Sequence, residues 1–212
     1  MSDNLDSSSK CGMFSVQQRR SAELNRSISR YGSMSIERIQ IARTKVDGFV
    51  EAIINIGSLG RYNQNKSKLN ISSAYHTFLI IHIEGDQILR LEKNSIVELK
   101  CVSKETIHSE LQLMDVELGS NGEELTINSI MLRLERDFDL ERIYIYESRD
   151  ANCQVFCHDV LTSSGLINHE IEAFAVQDTT SLLEGMDKFR SVAKSITDFA
   201  HVCDKLFSDP RM

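Results

Sequence analysis

The sequence contains no tryptophan and a single proline, Pro210, close to its end. With no proline in the interior, element boundaries must be read from glycine, polar clusters and hydrophobic period. Positive charge is in deficit: 24 Lys and Arg against 31 Asp and Glu leave a formal net charge of −7. That excludes a general nucleic-acid binder, which needs clustered cations to meet phosphates. No apolar run approaches the roughly 20 residues that span a bilayer, so no transmembrane segment is expected. The opening MSDNLDSSSK has neither the basic nor the apolar stretch of a secretory signal. Cysteine is sparse and odd in number: Cys11, Cys101, Cys153, Cys157 and Cys203. Without paired spacing they make no disulfide framework, and no Cys/His spacing matches a zinc site. Gly57, Gly60 and Gly85 are scattered and lack the spacing and lysine of a phosphate loop. No carboxylate cluster points to a divalent cation. These absences lead us to expect a cytoplasmic protein in a reducing compartment, with no metal and no cofactor.

What is present is ordinary in bulk. The 212 residues, 41% apolar and 26% charged, suit one globular domain with tails. Residues 1–35 are rich in Ser, Asn and Arg and read as a flexible tail. Within it, Arg19, Arg20, Arg26 and Arg30 could meet acidic partners or lipid headgroups, although a solvated tail is the reading that explains them best. Residues 36–46 alternate as a strand does, 47–57 suit a short helix closed by Gly57, and 60–73 form a polar stretch that reads as a loop. The densest β signal is AYHTFLIIHIE at 74–84, followed by a turn at Gly85 and Asp86 and a return through QILRLEKN. SIVELKCV at 95–102 continues the pattern, giving an antiparallel meander of two or three strands. Residues 103–124 show no clear period. Ile127, Ile130, Met131, Leu134 and Phe138 share one face of a helix over 125–138, and RIYIYE at 142–147 reads as a strand.

Two helices follow. Asn152 is a suitable cap for one beginning at Cys153, with Phe156, Cys157, Val160 and Leu161 on one face and Gly165 as its stop. The other, over 179–207, carries a heptad-like seam that includes Leu182, Met186, Phe189, Ile196 and Phe207. The expected organisation is a tail over 1–35, a domain over 36–170 and an amphipathic C-terminal helix within 171–212. The expected fold class is α+β, a small antiparallel sheet packed against helices.

Chemistry enters through two residues. Cys153 opens a helix, where partial positive charge and free N–H groups favour a thiolate and can hold an oxyanion. His76, in Tyr75-His76-Thr77-Phe78, lies in a strand, a rigid mount for a base that takes the thiol proton and returns it to a leaving group. Each signal alone is weak, since a helical cysteine is usually a small buried hydrophobe and a strand histidine is usually a core residue. Together they have a chain order with a counterpart. YHTFLII at 75–81, the Gly85-Asp86 turn and NCQVF at 152–156 resemble the permuted NlpC-type papain-like thiol hydrolases. That superfamily includes the lecithin:retinol acyltransferase family and the PPPDE peptidases.

The resemblance implies a permuted papain-like fold over roughly residues 40–165, Cys153 as nucleophile and His76 as base. It also implies a polar residue on the returning strand that orients the histidine. With the turn centred on Asp86, Asn94 and Glu92 both lie on the face of His76, and Asn94 is the closer. Tyr75, Asn152 and Gln154 flank the pair and are the candidates for holding substrate. The implied substrate is a peptide, isopeptide or lipid acyl bond, cleaved or transferred through a thioester. His82 is about 20 Å from His76 along the strand and too far to share its thiol. His158 points off the thiol's face, and Cys157 reads as a core residue. The competing reading is a catalytically inactive module of the same fold, acting on a protein partner or on itself through the C-terminal seam.

Overall fold

The computed structural model describes residues 19–46, 60–70, 74–107, 111–119, 124–146 and 151–176. Outside them lie the helix expected at 47–57 and the seam helix at 179–207 with Leu182, Met186, Phe189, Ile196 and Phe207. The described residues form an α+β structure: a five-stranded antiparallel sheet and six helices.

The sheet is built from β1 (Ile36–Lys45), β2 (Tyr75–Ile83), β3 (Gln87–Lys93), β4 (Val97–Val102) and β5 (Gln112–Val116), in the order β4-β3-β2-β1-β5. It is larger than the two- or three-stranded meander expected. β1 pairs with β2 along its length, and β5 adds to the far side of β1. β5 escaped the sequence reading because it is an edge strand in which only Val116 is buried, so its apolar alternation is faint. Gly85 and Asp86 both take left-handed φ angles, 79° and 57°, and turn the chain from β2 into β3.

The helices are α1 (Ala22–Tyr31), α2 (Arg61–Lys68), α3 (Ile127–Asp137), α4 (Leu140–Tyr144), α5 (Cys153–Ser163) and α6 (His169–Ala175). Three depart from the sequence reading. α1 belongs to the fold, although it falls in the stretch expected to be a tail: Leu24 and Tyr31 are buried in the main core. Arg20 fastens the same end, pairing with Glu135 at 2.6 Å and donating to the Tyr144 hydroxyl. α2 replaces a polar loop, and starts after Gly60 with its left-handed φ of 81°. α4 replaces the strand expected from RIYIYE. Asp139 caps it by accepting from the Glu141 N–H at 2.7 Å, and Ile143 and Tyr144 turn inward together as one helical turn allows.

Alternation of side chains divides the sheet into two apolar faces. Ile39, Ile41, Leu79, Ile81, Leu89 and Leu91 meet the helices in the main core, where Ile130, Leu134, Phe156 and Val160 face them. Ala42, Phe78, Ile80 and Ile88 form a second cluster on the opposite face, with Val102, Ile107 and Leu111 against it. α5 lies across β2 and β3, and α3 and α6 pack against α5. This layering carries the first turn of α5 to the start of β2.

Leu24→Ala tests whether α1 is part of the folded unit. Leu24 is 1% exposed, so the variant is expected to lose about 2–5 kcal/mol of unfolding free energy in a urea titration. A midpoint equal to that of the wild type would return residues 19–35 to the tail.

Candidate functional site

Asn152 sets the start of α5: its side-chain oxygen accepts from the N–H groups of Gln154 and Val155 at 2.9 and 3.0 Å. Two of the N–H groups that no helical carbonyl can reach are thereby satisfied. Gln154 is buried, and its Nε2 donates to the Tyr75 carbonyl at 3.0 Å. That bond ties the start of α5 to the start of β2. The Tyr75 ring lies under the Arg43 guanidinium at 4.6 Å, and Phe174 stacks on the same guanidinium at 4.2 Å. The three residues expected to hold substrate are therefore engaged in fastening elements together around the thiol.

The ladder between β2 and β3 ends at Leu79 and Leu91. Beyond it, the Thr77 backbone hydrogen-bonds the Cys153 thiol, and the His76 side chain hydrogen-bonds the same sulfur. On its other side His76 Nε2 donates to Glu92 Oε2 at 2.9 Å. With Nε2 on the carboxylate, Nδ1 is the nitrogen left for the thiol. Glu92 also pairs with Arg90, whose Nη2 stands 2.7 Å from the same carboxylate oxygen, and the Arg90 guanidinium stacks 4.0 Å from the Phe78 ring. The Phe78 ring in turn lies 5.8 Å from that of His76.

Of the two residues expected to orient His76, Glu92 rather than the favoured Asn94 is the one in contact with it. β2 and β3 are in register about Gly85, not Asp86: Ile81 faces Leu89 and Leu79 faces Leu91. Extending that register places Asn94 opposite His76, as expected of the nearer residue. Yet Asn94 is drawn into the bend before β4, where its N–H reaches the Ile96 carbonyl and its Nδ2 donates to Glu98 at 3.4 Å. Glu92, diagonal to His76, has the longer side chain and spans the gap. Arg90 was not singled out from sequence. The available signal is its place two residues before Glu92, on the same face of the strand.

The electrostatics follow from this contact order. Burial pushes the Cys153 thiol up, but the charge and hydrogen bond of His76, with backbone hydrogen bonds from Thr77 and Gln154, hold it below the usual 9.0. Burial pulls His76 down, and the Cys153 thiolate followed by Glu92 outweighs this and pushes the imidazole up to about 10. Burial likewise pushes Glu92 up, against the His76 hydrogen bond and the Arg90 charge, which bring it down to about 2. Each shift favours the charged form of its group: thiolate for Cys153, imidazolium for His76 and carboxylate for Glu92.

The remaining candidates lie apart from this chain. His82 faces Gln40 at 3.4 Å, at the other end of β2. His158 lies 3.5 Å from Asp159 and 3.8 Å from Glu172. Cys157 is fully buried in the main core, where burial and then the Cys153 charge push its thiol well up. Lys93, also fully buried, donates to the Arg142 carbonyl at 2.5 Å; burial pulls it down to about 8. Arg142 grips Asp159 of α5 with two bonds of 2.6 and 2.8 Å, so Lys93 and Arg142 hold α4, α5 and β3 together beneath the thiol. Among the described residues no three His, Cys, Asp or Glu side chains come together as metal ligands, and no helix is long and apolar enough to cross a membrane. Comparison with protein-family models, with curated proteins and with solved structures finds no match.

Two measurements follow. Iodoacetamide should label Cys153 at pH 6.5 faster than exposed Cys101, read site by site by mass spectrometry. His76→Ala should move the midpoint of the Cys153 labelling profile to the ordinary thiol range near 9.0 or above. Stability should also depend on pH through the ion pair. Because His76 is raised from 6.5, its contribution is complete below 6.5 and lost as pH rises through about 10. Because Glu92 is lowered from 4.5, its contribution is complete above 4.5 and lost as pH falls through about 2. The stability difference between wild type and Glu92→Gln should therefore be widest between pH 4.5 and 6.5 and shrink on either side.

Proposed function

We propose that this protein is a cysteine-dependent acyl hydrolase or acyltransferase with the permuted papain-like fold that its sequence resembles. The observation that carries the reading is His76 held between the Cys153 thiol at a helix start and the Glu92 carboxylate. The chain order, histidine strand first and cysteine helix later, agrees with the permuted arrangement, as does the packing of α5 on the strand that bears the histidine.

In this reading the Cys153 thiolate attacks a substrate carbonyl carbon, and the carbonyl oxygen takes up the displaced electron pair next to the Cys153 N–H at the positive end of α5. The His76 imidazolium gives its proton to the departing amine or alkoxide, leaving a thioester on Cys153 and a neutral imidazole. Water or an acceptor amine then loses a proton to His76 and attacks the thioester. The tetrahedral species collapses, and the thiolate–imidazolium pair is restored. Glu92 does not exchange a proton in this sequence. It holds the ring orientation through Nε2 and stabilises its charged form, as the acidic member of a triad does.

The test uses p-nitrophenyl acetate. Wild type should release a burst of p-nitrophenolate and gain one acetyl group on Cys153, located by peptide mass mapping. Cys153→Ala should abolish both. His76→Ala should slow acylation by about 10²–10⁴-fold, the usual scale for loss of a general acid–base group, and Glu92→Gln should slow it less. Acetylation of Cys101 at the same rate as Cys153 would sink the reading.

A further inference from the structure

β4 brings a second ion pair up to Glu92. It places Glu98 directly across from Glu92 and Lys100 directly across from Arg90. Side chains opposed in this way stand about 4.5–5.5 Å apart at Cβ, and like charges there repel. Both carboxylates are nevertheless buried, Glu92 at 4% and Glu98 at 1% exposure. Each has a cation two residues away on its own strand, and therefore on its own face. Arg90 Nη2 stands 2.7 Å from Glu92, and Lys100 Nζ stands 3.1 Å from Glu98. The four groups form a square in which two ion pairs lie side by side, anion across from anion and cation across from cation. Its charges balance only while all four are present.

We propose that Glu98 and Lys100 are positioning residues that act on His76 through Glu92, their ion pair balancing the field that the Glu92 carboxylate presents to the imidazole. The assignment rests on the thiol-hydrolase reading and adds β4 to its site. The groups that face Glu92 are His76 of β2, Arg90 beside it on β3, Glu98 and Lys100 of β4, and Cys157 of α5. His76 is faced in addition by Cys153, while β1 opposes it with the uncharged Thr44. Removing Lys100 leaves the Glu98 charge unopposed next to Glu92, which favours the imidazolium form of His76. Removing Glu98 leaves the Lys100 charge unopposed and disfavours it. The imidazolium midpoint sets the pH above which His76 has no proton to give a leaving group. The β4 pair thereby sets the alkaline limit of the reaction.

The experiment follows the His76 ring by NMR from neutral pH to about pH 11 in low salt. It uses the full-length chain carrying Cys153→Ala, so that the imidazole answers to Glu92 without the thiol. Lys100→Met is expected to raise the His76 midpoint by roughly 0.5–1 pH unit, and Glu98→Gln to lower it by a similar amount. Glu98→Gln and Lys100→Met together are expected to return it to the parent value. Opposite signs and restoration belong to charge; loss of a merely structural contact would move the midpoint the same way in both single variants, or in neither. Shifts of the same sign, no shift, or a double variant that fails to return would each overturn the proposal. If Lys100→Met does not fold, Glu98→Gln decides alone: a lower midpoint supports the proposal, and an equal or higher one overturns it. Rapid alkylation of Cys153 in the wild type with an unmoved His76 midpoint would remove the β4 pair and keep the thiol-hydrolase reading. The expected signs in a protein whose Cys153 alkylates slowly would keep the pair's action on His76 and remove that reading.

Discussion

The structure depends on how α5 is seated across β2 and β3. Phe156, Cys157, Val160 and Leu161 lie in the main core with Leu79, Ile81, Leu89 and Leu91 of the sheet. Burial of each large apolar side chain contributes about 1.5–3 kcal/mol, so the helix has little freedom to slide or rotate. Polar ties supplement this contact at both ends. Gln154 binds the Tyr75 carbonyl near the first turn, and Arg142 grips Asp159 further along. Cys153 is consequently placed by packing, and its sulfur meets the end of β2 where the pairing with β3 has stopped.

That meeting point brings three ionisable groups together with little water. Cys153 is 8% exposed, and the side chains of His76 and Glu92 are 21% and 5% exposed. Each would resist charging if buried alone. The charged forms of these groups alternate in sign along the contact order: thiolate, imidazolium, carboxylate and then the guanidinium of Arg90. Each favours the charged form of the next, which opposes the effect of burial. Glu92 and Arg90 also bridge the site to the second apolar face of the sheet. Arg90, which pairs with Glu92, also lines a cavity beside Phe78.

Much of the architecture could be read in advance where a single physical signal was strong. The β-branched run at 75–83 and the Gly85-Asp86 turn mark the central hairpin, and Asn152 before an apolar face marks the start of α5. The signal failed where tertiary contacts outweighed local pattern. RIYIYE alternates like a strand, but Asp139 caps a helical turn there, and Tyr144 is held by Glu135 and Arg20. β5 is paired to β1 without a buried face of its own. α1 looks too polar to fold, with Leu24 and Tyr31 as its only buried residues, yet both reach the core.

The site divides in the same way. The amino-acid sequence by itself determined that a cysteine opens a capped helix and that a histidine lies in a rigid strand, because capping and β propensity are local properties. Only the tertiary structure decided that Glu92 rather than Asn94 meets His76. The reason is that a partner across a hairpin depends on side-chain reach and competing bonds as well as register: the register places Asn94 opposite His76, but Asn94 is drawn to Glu98 and the longer Glu92 side chain makes the contact. Arg90 joined the site for the same cause. Its guanidinium finds Glu92 and Phe78 together only after two strands have paired, and no spacing along the chain encodes that contact.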